Sequence, residues 1–153
     1  MAVFVVRHAK AGDRDAWEGD DRLRPLTKSG RRQAEGLVEL LKDRPIDRIL
    51  SSPYVRCVET VEPLAKARHL TVEAINQLAE GAGGDSIIRV MNDNRGKNLV
   101  LCTHGDLVEE LLEGLIDQGV VSRRDAANQK GGTWVLESDD GRITSARYLP
   151  APT

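Results

Sequence analysis

Two stretches decide the fold: Ala2-Val3-Phe4-Val5-Val6-Arg7-His8 and Leu99-Val100-Leu101-Cys102-Thr103-His104-Gly105. Each is a short apolar run, rich in Val or Leu, that ends abruptly in a histidine. A continuous run of this length fits a strand covered on both faces rather than one face of an amphipathic helix. Arg48–Ser51 reads as another such strand, and Thr71–Ile75 as a further one. Helical spacing fills the gaps between them. Thr27 reads as an N-cap ahead of Ala34, Leu37, Val38 and Leu41, and Pro45 ends that helix. Ser52-Pro53 opens a second helix with Val55, Val58, Leu64 and Ala65 on its apolar side, where Pro63 is expected to break or kink it. Asp85 reads as the cap of a third helix through about Asn94 that buries Ile87, Ile88 and Met91. Asp106 begins a fourth, with Leu107, Val108, Leu111, Leu112 and Leu115 inward.

Alternation of strand and helix predicts an α/β fold: a mostly parallel sheet with helices on both faces, a three-layer α/β/α sandwich. The C-terminal part departs from that rhythm. Thr133–Glu137 and Ile143–Tyr148 flank Asp139-Asp140-Gly141, which reads as a β-hairpin, and the tail Pro150–Thr153 is expected to fray.

The composition narrows the function classes. The chain has 153 residues, consistent with one domain over 1–153. Its formal charge of −2 argues against a dedicated nucleic-acid binder. Phe4, Trp17, Tyr54, Trp134 and Tyr148 are too few for a base-stacking platform. Cys57 and Cys102 cannot supply a disulfide scaffold and read as small apolar fillers. There is no secretory leader pattern and no apolar run near the ~18 residues of a membrane span, so a cytoplasmic location is expected, without a membrane partner.

Parallel sheets bind ligands at the carboxyl ends of their strands. Three chemically distinctive segments fall there: Arg7-His8, Ser51-Ser52-Pro53-Tyr54-Val55-Arg56 and Thr103-His104-Gly105. Two arginine forks suit phosphate oxygens. A helix start near Ser52–Arg56 adds N–H groups and partial positive charge. A neutral imidazole is a competent nucleophile toward phosphorus, and a second, protonated one stabilises the transferring group. Taken singly, each residue also has a plainer reading as a capping histidine or a solvated arginine. A zinc site built on His8 and His104 lacks a third ligand at any recognised spacing, so no metal is expected. His69, near a helix end, reads as structural.

The same residues carry a resemblance. Val5-Val6-Arg7-His8-Ala9 resembles the Arg-His-Gly signature of the histidine phosphatase superfamily, whose fold is called phosphoglycerate mutase-like. Ser52-Pro53-Tyr54-Val55-Arg56-Cys57-Val58-Glu59-Thr60 is similar to its second block, Ser-x-x-x-Arg-x-x-x-Thr, and Thr103-His104-Gly105 to its distal His-Gly block. Arg24-Pro25-Leu26-Thr27 and the short length look most like SixA-type phosphohistidine phosphatases. Lys130-Gly131-Gly132-Thr133-Trp134-Val135-Leu136 is also similar to the phosphatase domain joined to Nudix hydrolases in some actinobacterial proteins.

The resemblance implies a monomeric phosphatase with no cap domain, needing no cofactor. His8 would become a phosphohistidine, Arg7, Arg56 and His104 would hold the phosphoryl oxygens, and Ser52 would help orient them. Glu80 matches the place of the family's general acid, with a solvated loop carboxylate as the alternative. Lys10 and Asp13 follow the first motif in a charged loop that reaches substrate or is merely solvated. Ala9 departs from the family's glycine. A phosphohistidine protein is the leading substrate, with a nucleotide or other small phosphorylated metabolite as the alternative. A phosphate-recognising module without turnover is the other reading. Little room is left for a lid, so the pocket is expected to be open and shallow.

Overall fold

The computed structural model describes all residues, Met1–Thr153. Six strands form one sheet: β1 (Ala2–Arg7), β2 (Arg48–Ser51), β3 (Val72–Ala74), β4 (Leu99–Thr103), β5 (Thr133–Asp139) and β6 (Arg142–Leu149). Their spatial order is β3-β2-β4-β1-β5-β6. The first four run parallel, and the C-terminal hairpin adds β5 and β6 antiparallel beside β1. The hairpin turn places Asp140 and Gly141 at φ 50° and 80°, the left-handed pair that matches the twist of the flanking strands.

Four helices cover the sheet: α1 (Lys28–Leu40), α2 (Val55–Arg68), α3 (Asp85–Asp93) and α4 (Gly105–Asp117). Side-chain alternation sorts them. Ala2, Phe4, Val6, Val100 and Cys102 face α1 and α2, meeting Leu37, Val61 and Leu64. Val3, Val5, Leu99 and Leu101 face α3 and α4, meeting Ile87, Leu107 and Leu111. This double burial explains why the strands read as unbroken apolar runs. No helix is long and apolar enough to cross a membrane.

Several local expectations change. Pro63 lies inside α2 without ending it. His69 closes α2 in the left-handed conformation, at φ 57°. Asp85 is the first residue of α3, and Gly84 is its cap. Asp106 does not cap α4; His104 holds that position, and the Asp106 carboxylate accepts a hydrogen bond from the Gly81 N–H at 2.9 Å. The tail is docked rather than frayed: Pro152 packs on Gly36 of α1, and the Ala151 N–H reaches Gln129 Oε1 at 3.2 Å.

One glycine ties α1 to the site loop. Thr27 caps α1 by accepting from the Gly30 N–H at 3.0 Å, as its sequence position implies. A Cβ on Gly30 would lie 1.9 Å from the Lys10 carbonyl oxygen, two residues past His8. The neighbour is backbone and cannot swing aside. Gly30→Ala is expected to lower stability by about 2 kcal/mol or more, read as a drop in denaturant midpoint at unchanged m.

Candidate active site

Register converts the fold into a site. Arg7 pairs with Thr103, and Ser51 with Cys102, so Arg7-His8, Ser52 and His104 all emerge at one edge of the sheet. The His8 and His104 rings stand 5.6 Å apart, centroid to centroid, nearly edge-on. They line a cleft of about 570 Å³ together with Arg7, Asp13, Glu80, Gly105 and Asn128. The cleft is neither a sealed cavity nor a flat surface, so the open pocket expected from the short chain is only partly matched.

His8 is buried, and its Nδ1 meets the Ala9 carbonyl at 2.8 Å. That contact calls for an N–H at Nδ1 and leaves Nε2 with its lone pair. Burial, assisted by the nearby charges of Arg56 and Arg7, lowers the pKa from its ordinary 6.5 to about 3, although the Ala9 bond opposes this. The ring is therefore neutral across the physiological range. The Ala9 N–H is held by Thr60 Oγ1 at 2.9 Å, so α2 fixes the backbone beside His8.

Arg7 is clamped from two sides. Its Nη1 donates to the Asn128 carbonyl at 2.6 Å, while the Asn128 amide donates to the Gly105 carbonyl at 3.0 Å. A Cβ on Gly105 would lie 2.7 Å from the Arg7 guanidinium carbon, so glycine is needed after His104 for close approach. Burial lowers the Arg7 pKa, an effect opposed by Tyr148, Glu109 and Asp106.

Arg56 is fully buried at the start of α2. Its Nη1 donates to the Asp21 carbonyl at 2.8 Å, and its Nη2 reaches the carboxylates of Asp21 at 3.1 Å and Glu80 at 3.4 Å. His104 is held at Nε2 by Ser52 Oγ, 2.8 Å away. Ser52 also accepts from the Tyr54 N–H and lies outside the cleft lining, so it braces His104 rather than facing the cleft. Arg7 Nε, Arg56 Nε and His104 Nδ1 are buried without a protein partner. Three unsatisfied donors around a neutral imidazole would each cost about 1–3 kcal/mol if nothing met them. Together they suit an oxyanion.

The remaining expected site residues divide. Glu80 lines the cleft and is bound by Arg14 at 2.7 Å as well as by Arg56. Asp13 is exposed on the cleft wall. Lys10 is exposed and outside the lining, and its backbone serves instead: its N–H donates to Gln33 Oε1, and its carbonyl accepts from the Thr27 N–H. Trp17 does not line the cleft either. Asn128 and Lys130 of the basic 118–131 loop do, whereas Arg123 pairs away with Glu113 at 3.0 Å.

Sequence reasoning missed Asp21, Arg14 and Arg24. Arg24 Nε binds Asp21 at 2.9 Å, and its Nη1 also bonds to the Gly12 carbonyl. Only the density of charge in residues 13–24 hints at this mesh.

An α/β/α sandwich with histidines and arginines gathered at its carboxyl edge has the phosphoglycerate mutase-like fold. Residues 3–86 match the model of the histidine phosphatase superfamily (branch 1), and the chain belongs to that superfamily of phosphatase hydrolases. It is 36% identical over 155 residues, 98% of its length, to an 8-oxo-(d)GTP phosphatase of Mycolicibacterium smegmatis, and spans 48% of that relative. It is 31% identical over 129 residues to a phosphohistidine phosphatase SixA homolog of Haemophilus influenzae, covering 75% of this chain and 77% of the relative. It thus spans about half the length of the first relative and three quarters of the second. A structure from Agrobacterium tumefaciens named for SixA superposes with a TM-score of 0.80 at 25% identity, covering 97% of each chain.

The His8 environment makes a prediction about pH. The unfolded chain binds a proton near 6.5, and the folded one not until about 3, so the folded state loses stability as pH falls through that window. His8→Asn removes this effect. Its stability relative to wild type should rise by roughly 2 kcal/mol between pH 7 and pH 5, measured by denaturant unfolding at both values. Parallel pH dependence in the two proteins would contradict a neutral His8.

Proposed function

We propose that this chain is a metal-independent phosphatase that works through a phosphohistidine on His8, and that its substrate is a small phosphate ester or anhydride of the nucleotide kind. The observation that carries the reading is the ring of three partnerless buried donors, Arg7 Nε, Arg56 Nε and His104 Nδ1, around a neutral His8.

In the first step His8 Nε2 attacks phosphorus while Nδ1–H stays on the Ala9 carbonyl. The bond from phosphorus to the leaving oxygen breaks, and Glu80, which takes up a proton as the arriving phosphate displaces it from Arg56, passes that proton to the leaving oxygen. Arg7, Arg56 and His104 take up the charge on the three remaining oxygens. In the second step water attacks phosphorus, Glu80 accepts its proton, and the P–N bond breaks. Inorganic phosphate leaves, and His8 and Glu80 return to their starting states. Arriving phosphate replaces the Glu80 contact on Arg56, which frees the carboxyl to face the leaving oxygen.

Glu80 supports an ester or anhydride over a phosphohistidine, because an alkoxide or phosphate leaving group needs a proton more than an imidazole does. Similarity over 98% of the chain to an 8-oxo-(d)GTP phosphatase supports the same side. A protein phosphohistidine is the second reading, favoured by a cleft open to solvent and by the SixA likenesses.

Turnover should fall at least about 10³-fold in His8→Ala, with the fold kept by circular dichroism. Wild type quenched during turnover should carry acid-labile phosphate on His8. Undiminished hydrolysis by His8→Ala would sink the mechanism. Glu80→Gln separates the substrates. A loss of about 10²–10⁴-fold in kcat on nucleotides, against a small change on phosphohistidine peptide, is the result expected. Equal losses on both would remove Glu80 from the role of acid.

A further inference from the structure

Cys57 reads from sequence as an inert filler, and its surroundings say otherwise. It lies in the first turn of α2, directly after Arg56, and is fully buried. Its Sγ stands 3.5 Å from His104 Nε2, the same ring edge that Ser52 Oγ touches at 2.8 Å. The opposite ring nitrogen, Nδ1, is buried with no partner in the protein. The second cysteine, Cys102 of β4, packs in the same apolar layer as Cys57.

We propose that Cys57 is a positioning residue: with Ser52 it holds the Nε2 edge of His104, so that the ring presents Nδ1 to a phosphoryl oxygen. This rests on the phosphatase reading above and deepens it, because it places a third group behind the second histidine. A base oriented by a group behind it is a recurrent device of nucleophilic sites.

The chemistry around the sulfur agrees. Burial works to raise the Cys57 pKa, yet the neighbouring Cys102 and His104 outweigh it and bring it down to about 6. Burial and the neighbouring Cys57 move the Cys102 pKa well up. The charged and titratable groups facing this pair come from every adjoining element. His8 lies beside the His104 ring from β1, and Tyr54 packs edge-on against it at 4.6 Å. Arg7 packs on Gly105, Arg56 precedes Cys57 in α2, and Asp106 lies in the first turn of α4.

The test uses Cys57→Ala and Cys57→Val in the full chain. The His104 ring nitrogens are observed by NMR, and kcat and KM on p-nitrophenyl phosphate are measured. Loss of the thiol should shift the His104 Nε2 resonance and lower kcat by about tenfold, roughly the worth of one hydrogen bond, with KM little changed. Cys57→Val keeps the volume without the thiol, so it should behave as Cys57→Ala does and serves if Cys57→Ala unfolds. His104 ring resonances identical in wild type and either folded variant overturn the proposal, even if thermal stability falls. The NMR measurement needs no turnover, so a catalytically silent wild type would count against the phosphatase reading alone.

Discussion

Parallel pairing of β1 with β4 sets Arg7 level with Thr103, and the site follows from that register. A shift of one residue would turn every side chain of β1 to the opposite face. Phe4 and Val6 would then leave the α1–α2 layer, and His8 would no longer stand 5.6 Å from His104. The register is held by apolar burial on both faces, so the geometry of the cleft is enforced by the core rather than by the loops. The C-terminal hairpin adds a second lock. β5 pairs with β1, and the segment before it clamps the end of β1 through Gly131 N–H to the His8 carbonyl and Gly132 carbonyl to the Arg7 N–H.

The formal charge of −2 hides a strongly ordered distribution. Arg7 and the two histidines line one cleft with Arg14, Arg24 and Glu80, and Arg56 lies outside that lining, tied to it through Glu80 and through Asp21, which also pairs with Arg24. Arg56 is fully buried, so its charge must be compensated within the protein. Asp21 and Glu80 provide that compensation in the absence of substrate. An arriving dianion therefore meets an Arg56 whose charge is already balanced. On the proposed reading it exchanges anions at Arg56, while Arg7, which has only the Asn128 carbonyl as a partner, meets it without a counter-ion, so affinity depends in part on how readily Glu80 yields.

The layers, the parallel part of the sheet and the meeting of Arg7, His8 and His104 at one sheet edge were legible because each rests on a local pattern. Strands buried on both faces produce unbroken apolar runs, and a site at strand ends puts polar residues directly after them. Asp21 was illegible for a physical reason: its partner Arg56 is 35 positions away, and a short 3-10 turn at Asp21–Leu23 brings the two together. Asn128 gives no local signal, because its amide and carbonyl contacts to Gly105 and Arg7 arise only when the chain returns to β1. The tail misled in the same way. Pro150–Thr153 carries turn-like composition, yet Gly36 leaves a gap on α1 that Pro152 fills.

Two histidines in one cleft are assigned different work by what touches them. His8 has a carbonyl at one nitrogen, arginines near the other and little water, and every one of these except the carbonyl disfavours a charge. His104 has Ser52 and a thiol at one nitrogen and an unmet donor position at the other. Phosphoryl transfer needs one ring that gives up a lone pair and other groups that hold developing charge. The difference in surroundings comes from α2, which contributes Arg56 to the first environment and Cys57 to the second from consecutive positions. A helix turns by about 100° per residue, so neighbouring residues face different partners, and the start of one helix touches both histidines in different ways.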